Sequence, residues 1–81
     1  MKLYFENMYG EKRLLKESGN AQELKMVVRQ FLDDHKFKSY YWRYNWDNKQ
    51  IVLDVGSHSE FFYFTDFNDV ELKQVVGGYE Q

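Results

Sequence analysis

Asp54, Ser57 and His58 occupy a five-residue window and supply the three residue types of a serine hydrolase. That chemistry needs a base within hydrogen-bond reach of the hydroxyl, a carboxylate to orient the base, and donors for the oxyanion. Ser57 and His58 are adjacent and their side chains diverge, and Gly56-Ser57-His58-Ser59 lacks the strand-to-helix setting of a nucleophile elbow. Small polar residues after a strand predict a turn instead. Asp33, Asp34 and His35 set two carboxylates beside an imidazole, and His58 is the only other histidine. Zinc and iron sites need three or four converging ligands, whereas neighbours on a helix point about 100° apart. His35 continues an apolar stripe and suits a helix end, where a cation complements the dipole. Asp66, Asn68, Asp69 and Glu71 have the composition of a calcium loop, but the turn glycine is missing and the spacing differs. Helix capping is their expected role. No catalytic residue, cofactor or metal ligand is therefore expected, and the chain reads as a non-enzyme.

A different chemistry is suggested where cations and rings interleave. His35-Lys36-Phe37-Lys38 leads into Tyr40-Tyr41-Trp42-Arg43-Tyr44, the composition of a single-strand stacking platform. On this alternative Lys36, Lys38, Tyr41 and Arg43 make the nucleic-acid contact. A net charge of −2 argues against general affinity for a phosphate backbone, and the Gly-Phe-rich signature of RNA-recognition strands is missing. The charge is uneven: residues 1–38 hold eight Lys/Arg against six Asp/Glu, and residues 39–81 three against seven. A second alternative follows, an acidic inhibitor presenting Asp47, Asp54, Glu60, Asp66, Asp69 and Glu71 to a basic groove on a host nucleic-acid-processing enzyme.

The elements behind these residues are legible from period and punctuation. Lys2 to Met8 reads as a strand, Tyr9-Gly10 as a two-residue turn, and Lys12 to Glu17 as the returning strand. That loop sets Phe5 opposite Leu14 and Glu6 opposite Arg13. Asn20 with Glu23 makes a capping-box pattern, and Leu24, Val27, Val28, Phe31, Leu32 and His35 then recur at helical spacing, so Ala21 to His35 is a helix. Tyr40, Trp42, Tyr44 and Trp46 fall on alternate residues, which in a strand share one face. Ile51, Leu53 and Val55 join that face only if the intervening loop is even, either Asp47-Asn48 or Asp47 to Gln50. Glu60 to Asp66 is the last strand, apolar on both parities through Phe61, Phe62, Tyr63 and Phe64, as befits a strand covered on two sides. Asn68 and Glu71 repeat the capping spacing ahead of Leu72, Val75 and Val76, a short helix stopped at Gly77-Gly78.

The expected fold is α+β, one domain over residues 1–81, in the order β-β-α-β-β-β with a short helix or tail at 67–81. The main helix packs on the aromatic face, and the tail helix or a second subunit covers the other. With no cysteine there is no disulfide, and compartment stays open. No signal-peptide run or membrane span is visible, so a soluble cytoplasmic protein is the default.

Met1-Lys2-Leu3-Tyr4-Phe5-Glu6-Asn7 with Tyr9-Gly10-Glu11-Lys12-Arg13-Leu14, then Phe37 to Tyr41, then Asp54 to Phe62, resembles small uncharacterised proteins encoded in phages and prophages of Gram-positive bacteria, over about residues 1–66. The resemblance implies a bacterial cytoplasm and a role in modulating host or phage machinery. That family has no assigned activity, so no functional residue carries over. The leading expectation is a non-enzymatic interaction protein that forms a homodimer and binds another protein. Aromatics are the residue class enriched in interface cores, and Tyr41, Phe61 and Tyr63, on the parity opposite the core, are the expected contact. A one-residue change in the last strand's register exchanges Phe61 and Tyr63 with Phe62 and Phe64.

Overall fold

Period-two alternation in five short segments builds one sheet. In the computed structural model, which describes residues 1–39 and 41–77, these are β1 (Lys2–Glu6), β2 (Lys12–Glu17), β3 (Arg43–Asp47), β4 (Gln50–Asp54) and β5 (Phe61–Thr65). Helices α1 (Ala21–Asp34) and α2 (Asp69–Gly77) complete an α+β domain. All strand pairs are antiparallel, in the spatial order β2-β1-β5-β4-β3. β5 is therefore the central strand, which accounts for its run of rings. Phe62 and Phe64 are buried, while Phe61 and Tyr63 are half-buried on the other side by their neighbours.

Cross-strand pairing lines the core side with two rows, Phe5-Phe62-Leu53-Tyr44 and Leu3-Phe64-Ile51-Trp46. Leu24, Val28 and Leu32 of α1 and Val75 of α2 belong to the same buried cluster as Leu3, Ile51, Leu53, Phe62 and Phe64. Each such side chain contributes about 1.5–3 kcal/mol on burial. Both helices thus lie on one side of the sheet. Of the two alternatives for the opposite face, the tail helix or a second subunit, this corrects the first. α2 packs beside α1, and Lys25, only 5% exposed, reaches across to donate from Nζ to the Gln74 carbonyl at 3.2 Å. A cation suits the C-terminal end of a helix. Burial, with Arg29 nearby, holds the Lys25 pKa below its ordinary value.

Local chemistry sets the helix ends. Asn20 Oδ1 accepts from the N–H groups of Gln22 and Glu23. At the other end the Phe37 N–H donates to Leu32 O at 2.9 Å and the Lys36 N–H to Asp33 O at 3.0 Å, with Lys36 at φ 54°. These are the paired bonds of a Schellman motif, with Lys36 in the left-handed place that glycine usually fills. Asn68 and Glu71 form a full capping box for α2: the Glu71 N–H donates to Asn68 Oδ1 at 2.8 Å and the Asn68 N–H to Glu71 Oε1 at 2.9 Å.

Three expectations are corrected. The first hairpin pairs Phe5 with Arg13, Glu6 with Lys12 and Tyr4 with Leu14. Its loop is Asn7 to Glu11, because Asn7 Oδ1 accepts the N–H groups of Tyr9 and Glu11 and closes the strand two residues early. A bulge at Leu15 then returns that side chain to the core. The third strand starts at Arg43, since residues 37–39, 41 and 42 belong to no regular element; Phe37 and Trp42 pack against the core from this connection. Tyr40, placed in that strand by its spacing, lies outside the described residues. Trp46 has the core-side parity yet is 60% exposed. β3 is an edge strand among the described residues, and the Phe67 ring lies beside Trp46 at 5.8 Å. The β3–β4 turn keeps the register of the longer of the two even loops, pairing Trp46 with Ile51, with Asn48 at φ 61°.

Candidate interaction surface

The side of the sheet away from the helices follows from the same pairing. One row crosses all five strands, Leu14-Tyr4-Tyr63-Val52-Asn45. Phe61 sits beside it, opposite Glu6. Tyr63 is the centre of this face. Its hydroxyl donates to Glu6 Oε1 at 2.5 Å, and Lys12 Nζ lies 4.0 Å from the ring centroid. Burial first, and then the Glu6 carboxylate, push the phenol up to about 12. The ring is thereby fixed in orientation, with its hydroxyl tied down and a cation over its face.

Tyr41, 42% exposed, lies just ahead of β3 at the rim of this face. Its hydroxyl reaches Asp54 Oδ2 at 3.5 Å, and the Arg43 guanidinium is 4.7 Å from its ring centroid. Tyr41, Phe61 and Tyr63 all fall on the helix-free side. Sequence reasoning passed over Tyr4 and Leu14, which complete the row. They became part of it only when β1 paired with β5 and the first hairpin took its observed register.

The four residues weighed for nucleic acid come from the end of α1, the connection after it and the start of β3. Lys36 is the residue after the α1 cap, and Lys38 lines a groove of about 290 Å³ with Arg29, Asp33, Ser39 and Trp42. Arg43 and Tyr41 lie with Asp54 toward the helix-free side. The ring faces carry their own cations, Arg29 over Trp42 at 5.1 Å and Arg43 over Tyr41. A base stacking on those faces competes with a guanidinium.

The hydrolase set is taken up in a turn. Asp54 Oδ1 accepts the Gly56 N–H at 2.9 Å, and Ser57 Oγ accepts the Glu60 N–H at 3.2 Å. The acidic set is also divided. Asp66 pairs with Lys2 at 3.3 Å, and Glu71 combines its capping bond with an ion pair to the Met1 ammonium at 4.0 Å. Among the described residues no three His, Cys, Asp or Glu side chains lie together as a metal would require, and no helix is long and apolar enough to cross a membrane.

One concavity escaped the sequence. A cleft of about 110 Å³ opens at the C-terminal end of α1, lined by Phe5, Phe31, Phe37 and Phe62 with His35, Ser57 and Glu60 at its polar side. His35 stacks on Phe31 at 4.1 Å, and its Nδ1 meets the Phe31 carbonyl at 2.8 Å. That carbonyl only accepts, so Nδ1 carries the hydrogen of this bond. The cleft is smaller than a cavity of about 150 Å³ that binds benzene, and it is below the size range of cofactor sites. Compared with protein-family models, curated proteins and solved structures, the chain matches none.

Proposed function

We propose that the protein is a small non-enzymatic interaction protein of phage or prophage origin that self-associates and binds another protein through the helix-free face of its sheet. One observation carries this reading: a row of Leu14, Tyr4, Tyr63 and Val52, with Phe61 beside it, crosses the sheet where neither helix packs. An antiparallel sheet can leave one face to water, but such a face ordinarily alternates to polar residues. Here its centre is aromatic. Rings with few rotatable bonds give large contact area at low ordering cost, which is why interface cores favour them. The ties from Tyr63 to Glu6 and Lys12 fix the ring in advance, so docking costs less entropy.

The test is retention from a bacterial host lysate on immobilised protein, run beside a Phe61→Ser/Tyr63→Ser variant checked for folding by circular dichroism. A discrete protein retained by the wild type and lost from the folded variant is the expected result. Equal retention by both contradicts the assignment of this face.

A further inference from the structure

The two edges of the sheet are built differently. β2 carries the bulge at Leu15 and the charged residues Lys12, Arg13, Lys16 and Glu17. These features oppose the addition of another strand. Pairing β2 with itself about its centre sets Lys12 against Glu17 at the ends but also Arg13 against Lys16 of the second copy, like against like, and the bulge breaks the register between them. β3, the other edge among the described residues, runs Arg43-Tyr44-Asn45-Trp46-Asp47 in unbroken register with β4, with no lysine and no bulge. Its residues are symmetric about Asn45, with rings at the two inner positions and opposite charges at the two ends. On the helix side of this edge Trp46 stands 60% exposed.

We propose that two copies of this chain join edge to edge along β3, antiparallel about Asn45. This rests on the self-association in the reading above and names its geometry. Arg43 then lies opposite Asp47 of the second copy, and Asp47 opposite Arg43 of the second copy, both pairs on the helix-free side. Tyr44 and Trp46 meet across the seam on the helix side, as a cross-strand aromatic pair. The two-fold axis stands perpendicular to the sheet, so the contact is self-complementary and closed. Five strands become ten, both helix layers stay on one side, and the two helix-free faces merge into one surface for a partner.

Charge reversal tests this on the full chain, read by sedimentation. Wild type is expected to dimerise. Arg43→Asp and Asp47→Arg each place like charges in both end contacts and weaken the dimer by about tenfold or more in Kd. Arg43 also faces Asp54 within its own chain, so circular dichroism confirms that each variant is folded. The decisive arm mixes the two single variants in equal amounts. Their end charges complement each other, and a heterodimer is expected at close to wild-type affinity. A dimer indifferent to both reversals, or reversals that weaken it with no recovery on mixing, overturns the edge pairing and leaves self-association standing. A monomeric wild type overturns both.

Discussion

Replacing Phe62 by alanine is expected to remove about 3–5 kcal/mol of stability, the range for truncating a buried phenylalanine. Phe62 is 1% exposed on the central strand, with Phe5 5.3 Å away and Phe31 set edge-on at 5.5 Å. Its loss opens a cavity where β1, β5 and α1 meet. A chain of this length holds roughly 4–12 kcal/mol in all, so the variant sits near its unfolding limit at room temperature. Phe61→Ala, one residue away on the other parity, is expected to cost about 1 kcal/mol. Urea denaturation of both measures the difference. Equal losses would mean that the sheet does not divide into a packed side and an open one.

Alkaline pH is expected to destabilise the protein through Tyr44 and Tyr63. Burial pushes the Tyr44 phenol up to about 12, with Arg29 pulling weakly the other way. Tyr63 reaches about 12 through burial and the Glu6 carboxylate. Both folded values lie above the ordinary 10.0. The folded chain therefore holds these protons more tightly than the unfolded one. Their contribution is full below pH 10 and is lost as pH rises through about 12. Each unit corresponds to about 1.4 kcal/mol, so Tyr44 accounts for about 2 kcal/mol after some screening by water, and the more exposed Tyr63 for less. Lys25 acts in the opposite sense, since its lowered pKa means that deprotonation relieves a buried charge. Tyrosinate absorbance during a pH titration is expected to show Tyr44 and Tyr63 ionising late, with unfolding alongside them. In Tyr63→Phe one late step disappears. A folded chain in which no tyrosine ionises late would contradict the placement of these two rings.

Several features were legible in the residues before any coordinates. Asn20 and the period from Leu24 to Leu32 specify α1, because no strand reproduces that spacing and the side chain of Asn20 satisfies two orphan N–H groups. Asn68 and Glu71 specify the start of α2 by the same logic. The alternation of Ile51, Leu53 and Val55 fixed their common face, and parity narrowed the β3–β4 turn to two registers, one of them observed. What stayed hidden depends on more distant geometry or on one side chain's choice. Asn7 looked like a strand residue, yet its amide oxygen captures two backbone N–H groups and shifts the first hairpin by one residue. Parity told which side Trp46 faces but not that β3 ends the sheet among the described residues. The pairing of β1 with β5 brings Tyr4 next to Tyr63 from 59 positions away, and no local pattern encodes it. The side on which α2 docks was equally silent, since its apolar residues fit either face. On the helix-free face, the parity of Phe61 and Tyr63 was readable from alternation, whereas the placing of Tyr4 and Leu14 beside them required the strand order.

Light scattering of the full chain at micromolar concentration is the most direct measurement. Self-association predicts a mass of twice the 9.9 kDa chain, falling toward that of one chain only on dilution. A constant single-chain mass across the micromolar range contradicts it, and with it the pairing of two copies along β3.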